Sequence, residues 1–313
     1  MKRKVNRVGT NTLTVSLPSK WAKNNNIQKG DELEVVEEEK FITLGLANRK
    51  EVEKKIVLNI DKFTYHDLAR HFAVITKAGY SKITLIHNQK EILDNKSGKE
   101  KPLQKIIKKI VTRNLGWEII SQTDKKTIIE CFIKDESMNL ERIEKRIYFL
   151  IKEMINAVLN EEYSKEELTE KMYLHHDNIA KFINYYLREL QSIDGELFQK
   201  QNLYSLYMTI DKIIDKIRHF SERIEENGLS AKTKKYAKEI FEMLDKMFVC
   251  LHKKKFDLEM VRERYLLVKK IQKENFTLKE QICIDEIKLI LDCINDFSEA
   301  IVSKNLSVLE DKQ

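Results

Sequence analysis

Proline is nearly missing from this chain of 313 residues, with only Pro18 and Pro102 present. Long uninterrupted helices are therefore permitted almost everywhere. Glycine is scarce and uneven: six of the eight glycines fall within residues 1–116, and only Gly195 and Gly228 follow. That shift predicts a turn-rich front and a helical back. The four cysteines, Cys131, Cys250, Cys283 and Cys293, show no C-x-x-C spacing. This excludes a disulfide framework or a cysteine zinc site and predicts small core residues in a reducing, cytoplasmic setting. No apolar run approaches the ~18 residues of a membrane span, so no membrane insertion is expected. The opening Met-Lys-Arg-Lys leads into polar residues, unlike a secretory signal. There is also no glycine-rich phosphate cradle and no nucleophile–base pair at a recognisable spacing, which argues against an enzyme.

What is present is charge, sorted along the first 45 residues. Residues 1–30 hold Lys2, Arg3, Lys4, Arg7, Lys20, Lys23 and Lys29 and no acid. Residues 31–39 hold Asp31, Glu32, Glu34, Glu37, Glu38 and Glu39 and no base. The net charge of +7 is mild over the whole chain, so the local sorting carries the information. It predicts one basic face that meets a polyanion. Residues 5–8 can form a strand, with Gly9 as a turn. Leu13, Val15 and Leu17 alternate with Thr12, Thr14 and Ser16, the period of a half-buried strand. Pro18 ends that strand and suits the start of a short helix over 19–23. Gly30-Asp31 makes a turn, and residues 33–35 and 41–44 form a hairpin. A module this small holds too little interior to fold securely alone, so two copies that exchange strands are expected.

This module resembles the SpoVT/AbrB-type, swapped-hairpin DNA-binding domain in its archaeal form. The resemblance is carried by Arg3-Lys4-Val5, Gly9, Thr12, Val15-Ser16-Leu17-Pro18, Trp21, Ile27, Gly30-Asp31, Leu33 and Val35. It implies a homodimer of interlocked hairpins that sets Arg3, Lys4 and Lys23 on double-stranded DNA, with Lys2, Arg7 and Lys20 close by. The family's bacterial members follow the loop glycine with an arginine, whereas this chain has Thr10-Asn11. Those groups suit phosphate or single base-edge bonds better than bidentate readout. Thr10, Asn11 and Thr12 are thereby the candidates near base edges.

Residues 48–134 read as a small α+β domain in βαβαββ order, with helices on one sheet face. Strands are expected at 53–60 and 81–87, helices at 65–78 and 102–114, and a hairpin at 117–122 and 127–133. Residues 88–101 read as a charged loop. His66, Arg70 and His71 are solvated helix residues by their spacing, although they could touch a ligand.

From about residue 137 the apolar period is helical, and six helices are expected. Two open with capping boxes, at Ser164 with Glu167 and at Thr277 with Glu280. Three helices, a break at Asn227-Gly228 and three more helices suggest a duplication. The stretch at 215–224 (DKIRHFSERI) aligns with 292–301 (DCINDFSEAI), each in the third helix of its half. This half resembles the PhoU family, phosphate-linked regulators built of two three-helix bundles. The resemblance places the family's acidic pair at Asp215 and His219 in one repeat and at Asp292 and Asp296 in the other. Spacing of i, i+4 puts each pair on one helix face. The pairs are candidate ligands for a divalent or iron-type cation, although no cofactor is required. The second helices offer His175, His176 and Asp177, and Glu259 and Glu263, without a clean register.

The whole is thus a multidomain α+β chain. Its parts are a swapped-hairpin β domain at 1–47, an α+β middle domain at 48–134, and an all-α pair of three-helix bundles at 135–313. That order resembles archaeal AbrB–PhoU fused regulators. It implies a transcriptional regulator of phosphate or metal-ion uptake genes, working as a homodimer or higher homo-oligomer. A different class of reading is a PhoU-like adaptor that regulates a transporter or signalling kinase, with the head used only to dimerise.

Overall fold

The computed structural model describes residues 2–37, 41–46, 53–133, 139–160, 163–192, 197–253 and 258–304. The chain divides into two compact units, Met1–Val52 and Glu53–Gln313.

The first unit is two hairpins and a short helix. Strands β1 (Val5–Val8) and β2 (Thr12–Val15) pair antiparallel, with Val5 opposite Val15 and Val8 opposite Thr12. Gly9 turns the chain at φ +70°, a conformation an L side chain resists. Pro18 then caps α1 (Ser19–Asn24). Asp31 closes the following loop by accepting from the Gln28 N–H at 2.6 Å. Strands β3 (Leu33–Glu37) and β4 (Ile42–Leu46) form the second hairpin, with Leu33 opposite Leu46. The tip expected around Glu37–Glu39 lies mostly outside the described residues. None of the described side chains in this unit is buried. Leu13 is 66% exposed, Phe41 69% and Ile42 68%. Isolated two-stranded hairpins are marginal in water, so this unit leaves its apolar strand faces without the cover they need.

The second unit begins with an α+β layer pair. Strand β5 (Lys55–Asn59) leads through α2 (Tyr65–Lys77) to the parallel strand β6 (Lys82–Ile86). A hairpin of β7 (Glu91–Asp94) and β8 (Lys99–Pro102) precedes α3 (Leu103–Thr112). Strands β9 (Trp117–Gln122) and β10 (Lys126–Cys131) complete a sheet of order β5-β6-β10-β9. Helices α2 and α3 cover one face through Leu68, Phe72, Ile106 and Ile110 against Ile83, Leu85 and Ile129.

The hairpin β7–β8 corrects the charged loop expected at 88–101. Its alternation is short and mostly ionic, yet Ile92 is 1% exposed and anchors it in the core. Asp94 fixes the turn by accepting from Ser97 Oγ at 2.9 Å and from Lys101 Nζ. The Lys101 ammonium outweighs the burial of that carboxyl, which falls to about 2.

Six helices follow: α4 (Leu140–Leu159), α5 (Lys165–Ser192), α6 (Leu197–Asn227), α7 (Ala231–Lys253), α8 (Leu258–Gln272) and α9 (Leu278–Lys304). Both expected capping boxes form. Ser164 N–H donates to Glu167 at 2.9 Å and Thr277 N–H to Glu280 at 2.9 Å. Helices α4, α5 and α6 pack on one another, as do α8 and α7 with α9. The most extensive contact joins α6 to α9, the third helix of each half. One continuous apolar core therefore runs through both halves, from Ile143 to Ile301. Within it Tyr186 and Tyr207 stack at 3.8 Å, and the Tyr186 hydroxyl donates to Glu144 at 2.9 Å.

The α+β layers are tied to the helices by Arg188 of α5. It donates to the Tyr80 carbonyl just past the end of α2 and sits 5.7 Å over the Trp117 ring. A cation there also suits the negative end of the α2 dipole.

Candidate nucleic-acid interface

Lys2, Arg3, Lys4, Arg7, Lys20 and Lys23 are exposed, and among the described residues none pairs with a carboxylate. The local fold explains their placement. Lys2, Arg3 and Lys4 precede β1, Arg7 lies within it, and Thr10 and Asn11 form the tip after Gly9. Lys20 and Lys23 are three residues apart on α1, so they share a side of that helix.

Strand register separates two of the expected contacts. Val5 pairs with Val15 and Arg7 with Leu13, so Arg7 shares the apolar face with Val5, Leu13 and Val15. Asn6 and Thr14 form the next pair, and they lie with Thr12 and Val8 on the other face. Thr14 Oγ1 donates to the Asn6 carbonyl at 3.4 Å on that side. The tip residues Thr10 and Asn11 therefore lie between a face fit for a protein partner and a polar face.

His66, Arg70 and His71 of α2 are exposed. His71 Nδ1 lies 2.8 Å from the Asp67 carbonyl of its own helix, and its ring is 4.6 Å from Phe63.

The expected cation pair on α6 is occupied by side chains of the chain itself. Arg218 reaches between Asp215 and His219, with its guanidinium 3.0 Å from Asp215 Oδ1 and 2.7 Å from His219 Nε2. His176 of α5 closes on Asp215 from the other side at 3.1 Å, with Asp177 Oδ1 at 3.2 Å from its second nitrogen. Asp177 then takes Arg113 of the α3 terminus at 2.7 Å. Glu222 accepts from Arg218 at 2.8 Å and from Tyr173 at 2.6 Å, and Lys96 of the β7–β8 turn reaches Tyr173 at 2.9 Å. Asp215, one of the candidate cation ligands, thus stands between Arg218 and His176.

The electrostatics follow this geometry. Burial works against charge on His176, but hydrogen bonds to Asp177 and Asp215 overcome it and lift the group to about 9. Asp215 is likewise opposed by burial, yet His176 and Arg218 hold it at about 2. His219 is pushed down by burial and by the adjacent Arg218. In the second half Asp292 is 72% exposed and lies 3.3 Å from Arg264, while Asp296 is exposed on α9. Glu263 pairs with Lys246 at 2.7 Å, and Glu259 is exposed. His175 is partly buried, and burial lowers it. Among the described residues no three His, Cys, Asp or Glu side chains converge as a metal cage requires. Arg218, Tyr173 and Glu222 were missed as a group, although Arg218 lies within the same turn as the expected pair.

Residues 7–55 match a family model described as MazE_antitoxin: antidote-toxin recognition MazE, bacterial antitoxin. No curated protein and no solved structure matches the chain. The matched segment covers most of the module that resembles the SpoVT/AbrB-type domain.

Proposed function

We propose that this chain is a DNA-binding transcriptional regulator whose head pairs with the head of a second copy. One observation carries the reading: an antitoxin-type head leaves its apolar strand faces bare beside unpaired bases. Pairing covers Val5, Leu13 and Val15, and the long Arg7 side chain on the same face carries its charge out past the edge of the contact. Lys2, Arg3, Lys4, Arg7, Lys20 and Lys23 then neutralise backbone phosphates, which supply affinity without sequence preference. Thr10, Asn11 and Thr12 lie where short polar side chains can bond single base edges. The helical body, by its PhoU-like arrangement, receives a signal linked to phosphate or metal-ion uptake and governs the corresponding genes.

The test is binding of the full chain to double-stranded DNA from its own upstream region, with and without Lys2, Arg3, Lys4 and Arg7 changed to Ala. Tight binding that the quadruple variant loses supports the reading. Binding no stronger than to unrelated DNA, unchanged in the variant, reduces the head to a pairing device and favours the adaptor reading.

A further inference from the structure

The sheet of the second unit has one face covered by α2 and α3 and one face that no element among the described residues covers. On the bare side the strand register sets out rows across all four strands. The first row reads Lys55, Lys82, Glu130 and Glu118 from β5 to β9. The second reads Val57, Thr84, Ile128 and Ser121, with Ile120 beside it at an irregularity in the β9–β10 pairing. The third reads Asn59, Ile86 and Lys126. Val57 is 67% exposed, Ile120 47%, and Phe132, just beyond β10, 62%. A sheet face with large apolar side chains through its middle is an incomplete layer, because sheets bury such a face against a second layer.

The charges fit a second copy as that layer. The first row is basic on the β5–β6 side and acidic on the β10–β9 side, while Lys82 already pairs with Glu130 at 2.5 Å within the sheet and Lys55 with Glu53 at 2.7 Å, so a second copy would extend these pairs into a larger network. A two-fold axis parallel to the strands reverses strand order and keeps each row in place. It sets Lys55 opposite the second copy's Glu118 and Lys82 opposite its Glu130. The same operation lays Thr84 over Ile128 and Val57 over the Ile120–Ser121 irregularity, and it puts no two like charges face to face. An isologous contact must be self-complementary in this way, and aligned sheet packing leaves about 10 Å between the layers for such side chains. We propose that this bare face docks, sheet on sheet, against the same face of a second copy of this chain.

Area sets the conditions. Four strands ~4.8 Å apart and about five residues long cover on the order of 300 Å². A stable interface buries roughly 800 Å² per partner. The contact is too small to hold two free chains, and it forms where the paired heads raise the local concentration to about millimolar. In that respect it rests on the pairing of heads put forward above.

The experiment is a cysteine trap in the full chain, with Lys55→Cys and Glu118→Cys combined and joined by a short thiol-specific crosslinker that spans the ~10 Å between facing layers. These positions lie on the outer strands, three strand spacings of ~4.8 Å apart, so the crosslinker is chosen too short to span the ~14 Å across one sheet. Any crosslink between them joins two copies. The unsubstituted chain runs alongside to account for the native cysteines. A Lys55→Cys, Lys126→Cys pair, out of register under this axis, serves as control. The expected result is a covalent dimer from the first pair, at least tenfold less from the control, and loss of the trap when Ile128→Lys is added. Absence of the trap in a chain that remains dimeric overturns the sheet contact and leaves the head pairing standing. If the chain is monomeric, the head pairing fails. The same trap at millimolar protein then decides the sheet contact alone: a bond sustains it and none overturns it. Equal trapping in both pairs also overturns it, because contact would then lack this register.

Discussion

His176 Nε2 lies 3.1 Å from Asp215 Oδ1, across the packed helices α5 and α6. The pair is an internal ionic joint. It belongs to a run from Arg113 at the end of α3 to Lys96 in the β7–β8 turn, so it joins the α+β layers to the helices.

The joint has a pH signature. The folded-state pKa of His176 is raised from 6.5 to about 9. A raised histidine contributes stability fully present below its unfolded value and lost as pH rises through its folded value. Stability to urea is therefore expected to fall between about pH 6.5 and 9 by up to roughly 3 kcal/mol, before screening at this partly accessible site is counted. Asp215, depressed to about 2, acts in the opposite sense, and its contribution is lost as pH falls below 3.8 through that value. His176→Gln should flatten the alkaline fall. Unfolding curves of both proteins across this range check it.

Arg218 holds more of the joint than any other side chain. Its guanidinium is 11% exposed and serves Asp215 and Glu222 at once. Arg218→Ala takes from Asp215 and Glu222 the partner they share, leaving Asp215 to His176 and Glu222 to Tyr173, and a cost of about 3 kcal/mol is expected. Arg218→Lys should recover only part, because an ammonium cannot fork between two acceptors. Chemical denaturation of the two variants against the parent measures this. A loss below about 1 kcal/mol for Arg218→Ala would mean that the joint is solvated.

Gly116 tests the packing of the sheet. It has φ +76°, and a Cβ there would overlap the Ile133 side chain. Gly116→Ala is expected to cost about 2–4 kcal/mol, from left-handed backbone strain together with overpacking. The readout is the thermal midpoint of the second unit's unfolding.

Leu13 reports on the head. It is 66% exposed in one copy, where a polar substitution should change stability by less than about 0.5 kcal/mol. If a partner covers it, Leu13→Asp should abolish the dimer and leave helical circular dichroism intact. Light scattering of parent and variant gives the masses.

Much of this was legible in the sequence, and the misses have physical reasons. The capping boxes at Ser164 and Thr277 are local chemistry within four residues, so they read directly. The six helices follow from long apolar periods that nothing interrupts. Hairpin β7–β8 did not read, because Ile92 is its one buried apolar side chain and the remaining pattern is mostly ionic, with Asp94 buried as a charge. The joint around Asp215 read only in part. The family resemblance put Asp215 and His219 on α6 and left His176 and Asp177 without a register, whereas the fold brings His176 of α5 to Asp215, Arg218 of α6 between the pair, Glu286 of α9 to His219, and Arg113 to Asp177. The bare sheet face required the register, since Lys55 and Glu118 are neighbours of nothing in the sequence that reveals their row.

The most direct test of the account is the salt dependence of DNA affinity. Each neutralised phosphate contributes about −0.9 to the slope of log K against log salt. Six bases in one head predict a slope near −5, and more with two heads engaged. Removing Lys2, Arg3, Lys4 and Arg7 should reduce its magnitude by about 3.6 for each engaged head. A slope near zero, or one that the four substitutions leave unchanged, would contradict the assignment of the head to DNA.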